Sequence, residues 1–481
     1  MRLILPLLLA LLPLWSAEAV PDPNRGVYAI WTTGRAKADL PFIKGGQVHL
    51  MWSAVEPAEG RYDFSDFDRQ IEAIHKQGRV ATVQLNGNEH PGYLFQKVPH
   101  SAKILSNQIR DKQGTLQYWH PAYIKAYTDL LAAYAKHVKA SPYRAAVLGI
   151  RMNFNALGTE HTDIPAAERD PARWIAPPGV KLGPAWTKEI ASQYQRTVVD
   201  AFVRDFTPEI FVFVRNNIVG KGMNPETLRL FETGKLGLFH TSSEIEPRGG
   251  GTGGQYLAFI KYCRSGETTC YAESWADAEG RHGGIQDERW CGREQYNYWR
   301  LLVDLNCGVS FIAVYGADLG HASEPEYRAA FEFAAKYAGY HASPSVSPGA
   351  WVALREGDSM KGDYTFLMKR LDDMKPEKLV GPAKQRFGAW ARTLAAGSKA
   401  RFEPNAAFSK SLDGKPAAIH VTYLDKGKGT FTVECGGQNF GTALTDSGVW
   451  KTADFRANSV VMVTVAADTD LTLHMVEVSR D

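Results

Sequence analysis

The chain has 481 residues, 55 of them Lys or Arg against 52 Asp or Glu, so its formal net charge is only +3. With no basic tail or stripe, that balance argues against a dedicated nucleic-acid binder, and the length suffices for one large domain and a smaller one. Twelve tryptophans and 20 tyrosines supply many flat faces, most of which must pack in cores.

The chain begins Met1-Arg2, runs apolar from Leu3 to Trp15 and reaches Ser16-Ala17-Glu18-Ala19. A positive start, a short apolar core and a small-x-small end are the parts of a secretory signal. Residues 1–19 are therefore expected to be a signal peptide cleaved after Ala19, and the mature protein to be secreted or periplasmic. The apolar run falls short of the ~20 residues that cross a bilayer and no later stretch supplies them, so no membrane span is expected.

From Val27 onward, short β-branched or aromatic runs alternate with helix-compatible segments. Eight such runs occur: Val27 to Thr33, Gln47 to Ala54, Val80 to Asn86, Ala146 to Asn155, Glu209 to Asn216, Leu236 to Ser242, Thr268 to Trp275 and Val309 to Gly316. Alternating strand and helix is the pattern of a parallel α/β fold, and eight units close it into a (β/α)8 TIM barrel, expected over residues 20–340. Between the runs, Ser65 to Gly78 has a capping serine, apolar residues at helical spacing and a terminal glycine. Tyr123 to Val138, Ala191 to Phe206 and Gln295 to Leu305 share the periodicity. A doubly wound open sheet competes, but its Gly-rich phosphate loop after the first strand is missing.

The cysteines are Cys263, Cys270, Cys291, Cys307 and Cys435. Export permits disulfides, and Cys263 with Cys270 is the nearest pairing, so that bond is expected, although the sequence does not fix the connectivity. Neither Cys-x-x-Cys nor His-Glu-x-x-His occurs, so no metal or other cofactor is expected. His341 to Gly349, rich in Ser and Pro, reads as a linker over 341–349. Beyond it, Ile419 to Leu424, Gly429 to Glu434, Ser459 to Val465 and Asp470 to Val478 alternate or run β-branched between turns. Residues 350–481 are thus expected to form a smaller C-terminal antiparallel β-sandwich, serving as a structural buttress or as a carbohydrate-binding module.

The segment Trp52-Ser53-Ala54-Val55-Glu56-Pro57-Ala58-Glu59-Gly60-Arg61-Tyr62-Asp63-Phe64-Ser65 resembles the stretch after strand two in clan A glycoside hydrolases, especially the β-galactosidase-like ones. With the strand series, the resemblance covers about residues 27–340. It implies that the Glu56-Pro57 turn is structural, that an acid/base glutamate follows strand four and that a nucleophilic glutamate ends strand seven. Glu273 occupies the second position. For the first, the chain departs from the family's Asn-Glu, since Phe154 and Ala156 follow Asn153 and Asn155, and Glu160 is the nearest carboxylate beyond. Two carboxylates suit glycoside cleavage because one protonates the leaving oxygen while the other attacks the anomeric carbon.

The C-terminal ends of barrel strands are where substrate is met. Arg151, Asn153 and Asn155 alternate onto one strand face, Asn86 ends strand three and His240 sits late in strand six; all are candidates to orient sugar hydroxyls. Trp52, Trp275 and Tyr315 are candidates to stack on sugar rings. Glu89, Glu244 and Glu246 are rival acids. The Gly249 to Gly254 loop lacks Gly-Lys-Ser/Thr, and no Gly-x-Ser-x-Gly elbow marks a serine hydrolase. The expected protein is a retaining glycoside hydrolase acting on a poly- or oligosaccharide. Two alternatives stay open: a catalytically silent glycan-binding barrel, and a polysaccharide lyase in which Arg151 or Arg215 neutralises an acidic sugar.

Overall fold

The computed structural model describes residues 18–30, 40–215, 218–219, 222–240, 260–273, 292–355, 362–378 and 381–480. Eight parallel strands among them close into a barrel: β1 (Gly26–Ala29), β2 (Ile43–Met51), β3 (Val80–Asn86), β4 (Val147–Arg151), β5 (Val212–Arg215), β6 (Gly237–His240), β7 (Cys270–Glu273) and β8 (Phe311–Val314). Their order round the ring is their order in the chain, and β8 closes on β1 through pairs such as Val27 with Ile312.

The sequence runs locate all eight strands; Val80 to Asn86 matches at both ends, whereas others overshoot at the C-terminal end. Gln47 to Ala54 stops as a strand at Met51, because Trp52–Val55 winds into one helical turn. Ala146 to Asn155 stops at Arg151; Met152 still donates to Phe213 at 3.0 Å, but Asn155, with φ 52°, turns the chain away.

Successive side chains of a barrel strand face alternately in and out, which gives two separate cores. Outward residues such as Val48, Val83, Leu85, Ile150, Val212, Leu238 and Ile312 pack beneath the helices. Those helices include α1 (Ser65–Lys76), α2 (Pro121–Ala140), α3 (Lys188–Phe206), α4 (Pro225–Glu232), α5 (Arg293–Cys307) and α6 (Pro325–Tyr337). Inside the barrel, Tyr28, Phe213, Phe239, Tyr271 and Phe311 form an aromatic plug. Glycine makes room for it: a β-carbon on Gly237 would lie 2.6 Å from Phe213 Cδ1. At α1 the cap differs from the expected one, since Asp63 accepts the Ser65 N–H at 2.9 Å and Ser65 itself is the first helical residue.

The C-terminal part is a β-sandwich of antiparallel strands, one sheet of seven and one of five among the described residues. Leu471–Arg480 is the spine of the larger sheet and pairs with Gly349–Ala353, Trp390–Leu394 and Ala417–Leu424. A seam of buried rings joins the sandwich to α5 and α6. Trp299, 0% exposed, donates to Gly388 O at 2.7 Å and meets Trp390 edge-on at 5.0 Å. Tyr337 donates to Glu477, and Trp351 stacks on Phe366 at 5.5 Å. Cys263 and Cys270 form the expected disulfide, with Cα atoms 5.7 Å apart, tying the segment before β7 to β7 itself. Cys307 and Cys435 are buried thiols. No helix among the described residues is long and apolar enough to cross a membrane; the expected leader lies largely in 1–17, outside them.

Candidate active site

Above the aromatic plug, the same inward rows present polar side chains. Arg151, the last residue of β4 and 3% exposed, reaches across the barrel mouth. Its Nη1 donates to Gln84 Oε1 at 2.6 Å and to Glu273 Oε2 at 2.5 Å, while its Nη2 donates to Glu160 Oε1 at 3.0 Å. Arg215, the last residue of β5, donates from Nη2 to Glu160 Oε2 at 2.7 Å. Glu273, the last residue of β7, also accepts from Gln47 Nε2 at 3.3 Å, and the same nitrogen donates to Tyr271 Oη at 2.8 Å. Phe239 lies beneath both cations, 4.2 Å from the Arg151 guanidinium carbon and 5.2 Å from that of Arg215.

Glu160 arrives by a fold-back of the β4 loop. Phe154 N–H donates to Thr159 O at 2.9 Å and Leu157 N–H to His161 O at 3.0 Å, which reverses the chain around Gly158. Gly158 has φ +83°, and a β-carbon there would meet Gln108 Cβ at 2.3 Å, so a side chain is barred twice over. Gln108 Oε1 in turn accepts from Thr159 N–H at 2.9 Å and fixes the turn. The carboxylate next along the chain is thereby returned to Arg151, nine residues earlier.

Burial pushes the Glu273 pKa above the usual carboxylate value and the charge of Glu160 adds to this; Arg151, Gln47 and Arg215 pull the other way without cancelling it. Burial alone would lower the proton affinity of Arg151, but Glu273 and Glu160 outweigh it. At Arg215 burial prevails and the shift is downward, although a guanidinium stays charged throughout the working pH range. His49, two residues beyond Gln47 on the same face of β2, is driven down to about 4 by burial and then by Arg151 and Arg110, so it is neutral at pH 7.

Residues 43–153 match the family model described as β-galactosidase, from the start of β2 to just beyond β4. That match, lying on a closed parallel eight-stranded barrel, makes this stretch similar to the β-galactosidase-like glycoside hydrolases of clan A. β-Galactosidase Pbg of Clostridium perfringens is 26% identical over 90 residues, 16% of this chain and 13% of that protein. β-Galactosidase BbgII of Bifidobacterium bifidum is 26% identical over 137 residues, 26% of this chain and 19% of that protein. The chain thus spans less than a fifth of the length of either relative. The catalytic domain of β-amylase from Paenibacillus polymyxa superposes with a TM-score of 0.43 at 10% identity, over 68% of this chain and 100% of that one.

The remaining expected residues divide sharply. Trp52 is removed from the candidate sugar platforms: it is 0% exposed, donates to Glu56 Oε2 at 2.8 Å and packs on His90, Tyr123 and Tyr127 behind the mouth. Glu56 also accepts from Gly60 N–H and Tyr93 Oη, both at 2.9 Å, and so fastens its own turn. Asn153 and Asn155, each 0% exposed, are engaged in tying β4 to β3: both donate to Leu85 O at 3.0 Å, and Asn153 donates to Asn86 Oδ1 at 2.8 Å. Their amide nitrogens are thereby spent on shaping the wall.

His240 ends β6 at the mouth, 5% exposed, and half-buried Tyr315 follows β8 within electrostatic reach of Arg151. Glu89 is solvent-exposed. Trp275, Glu244, Glu246, Cys291 and the Gly249 to Gly254 loop lie outside the described residues. Sequence reasoning misses Gln47, Gln84 and Tyr271, and singles out Arg215 only for a lyase. Alternation along β2, β3, β5 and β7 is the signal that finds them, since each shares an inward row with a plug or mouth residue.

Proposed function

We propose that the protein is an exported, retaining glycoside hydrolase that cleaves O-glycosidic bonds in a poly- or oligosaccharide, with Glu273 as nucleophile and Glu160 as acid and base. The observation that carries this reading is a pair of carboxylates, buried Glu273 at the end of β7 and half-buried Glu160 on the β4 loop, held by the two terminal nitrogens of one guanidinium. A fork of that size suits the ~5 to 5.5 Å separation of retaining enzymes better than the ~6.5 to 9.5 Å that leaves room for a water.

In the first step Glu273 attacks the anomeric carbon as the bond to the leaving oxygen breaks and that oxygen takes the proton of Glu160. In the second, Glu160 takes a proton from water, whose oxygen displaces Glu273. Arg151 and Gln47, both on Glu273 Oε2, steady the carboxylate to which charge returns. The Cys263–Cys270 bond supports export, because such bonds persist in oxidising compartments. The relatives' names make a β-galactoside the first sugar to try.

The test is a panel of aryl glycosides and polysaccharides, read by released phenol and new reducing ends, with the product anomer followed by NMR. Retention of configuration, loss of turnover in Glu273→Gln and survival of activated aryl substrates in Glu160→Gln are expected. Inverted product refutes the assignment of Glu273 as nucleophile. Ultraviolet absorbance of unsaturated sugars would replace hydrolysis by elimination. One observation favours a second reading, glycan binding without turnover: two guanidiniums engage both oxygens of Glu160, the atoms a leaving oxygen would have to reach. Saturable binding without product from any panel member would establish it.

A further inference from the structure

Retaining hydrolysis, on which the first of two supports for this inference rests, needs one of the two carboxyls protonated when the bond breaks. Arg151 and Arg215 balance Glu160 and Glu273 only while both carboxylates are ionised. Once one holds a proton, and with His49 neutral, the described mouth residues carry a positive charge without a counter-ion. Among the described residues, a neutral sugar leaves that charge buried and unpaired, which is strongly unfavourable.

A second, independent feature points the same way. The Arg215 side chain is 6% exposed, and its Nε and Nη1 have no hydrogen-bond partner among the described residues; Arg151 Nε has none either. Nε–H and Nη1–H lie on different edges of the fork, so two oxygens of an oxyanion are matched only on an edge that Nη2, now on Glu160, completes. Both Arg215 atoms are now shielded from solvent, so a ligand meets them by a turn of the side chain away from Glu160.

We propose that the sugar held between Glu160 and Glu273 is anionic, a uronic acid or a sulfated sugar, and that Arg215 is the residue that selects it by binding the oxyanion. The exchange has a chemical consequence for Glu160. When Arg215 leaves for the substrate, Glu160 keeps one cation where it had two, and its proton affinity rises as the leaving oxygen requires a proton. The charge of the substrate thereby prepares the acid.

Calorimetric titration of the wild-type protein with galacturonate, glucuronate, galactose 6-sulfate and galactose separates this from the catalytic reading, because it needs no turnover. At least one anionic sugar should bind about tenfold or more tightly than galactose, and added salt should weaken that preference. Carboxylate or sulfate is identified by which of the three wins. Arg215→Met should abolish the preference and Arg215→Lys should retain part of it, as a charge without the planar fork. In kinetics with matched aryl glycosides, the kcat/KM ratio of anionic to neutral substrate should collapse in Arg215→Met, and the basic limb of the neutral substrate's pH profile should move up. Galactose binding as tightly as every anionic sugar, or a preference unchanged in Arg215→Met, overturns the proposal. Should Arg215→Met fail to fold, the lysine variant and the salt series decide the matter. Anionic binding through Arg215 without turnover of any glycoside would uphold this inference and refute hydrolysis.

Discussion

Arginine lies buried on aromatic rings at the seam and at the barrel mouth, with different results. At the seam Arg355, 2% exposed, has its guanidinium carbon 4.3 Å from the Tyr364 ring and 4.4 Å from Trp390, with Trp299 at 5.9 Å. Each of those rings belongs to a strand or helix, so the charge is locked in place. At the mouth Arg151 and Arg215 share the single ring of Phe239, and their nitrogens turn to carboxylates, one of which hangs from a glycine turn. Burial of a cation is therefore adhesive where every partner is fixed, and becomes chemistry where one partner can be exchanged.

The largest expected effect breaks the mouth alone. Glu273→Gln should lower kcat about ten-thousand-fold or more while the thermal transition survives, measured by steady-state kinetics beside a melting curve. Breaking the seam should do the reverse. Trp299→Ala removes a fully buried ring and its hydrogen bond to Gly388, so about 4 kcal/mol of stability should be lost by denaturant titration, with KM unchanged for the protein that stays folded.

Asp425 sharpens the contrast as a buried ion whose partners are all fixed. It is 0% exposed and accepts from Thr445 N–H at 2.7 Å, Ser447 Oγ at 2.5 Å and Lys451 Nζ at 2.6 Å. Burial works to raise its pKa, but Lys451, Ser447 and Thr445 outweigh it and hold the carboxyl far below the usual range. A depressed folded-state pKa contributes stability that is present above the unfolded value of ~3.9 and fades as pH falls below it. Asp425→Asn should cost about 3 kcal/mol at pH 7 and only somewhat less at pH 3, because the folded carboxyl is still ionised there, read by denaturant curves at both.

The smallest effect is at the mouth again. Glu273 has a raised pKa and must be ionised to attack, so the acid limb of kcat/KM should lie above that of an ordinary glutamate, with activity falling as pH drops through it. A limb at the ordinary carboxylate value would mean that another group controls it.

Much of this architecture can be read from residues alone, for local reasons. Val80 to Asn86 matches β3 at both ends, because a β-prone run bounded by Gly78 and Gly87 has few other ways to fold. Glu273 is legible because its strand delivers it to the mouth by alternation. Trp52 misleads, since an aromatic residue at a strand end reads the same whether it faces a cleft or packs behind one, and only the positions of His90, Tyr123 and Tyr127 decide. The pairing of Arg215 with Glu160, 55 residues apart, is illegible for a related reason: it depends on where a loop folds back, and no periodicity encodes that.

The plug of Tyr28, Phe213, Tyr271 and Phe311 beneath the cluster also acts as an electrical insulator. Mobile ions cannot approach the two arginines from that side, so their field lines leave through the open end of the barrel and are screened only there. Once one of the two carboxyls holds a proton, the surplus positive charge draws an anion along that axis before it touches any residue, and its association rate, more than its dissociation rate, should respond to ionic strength.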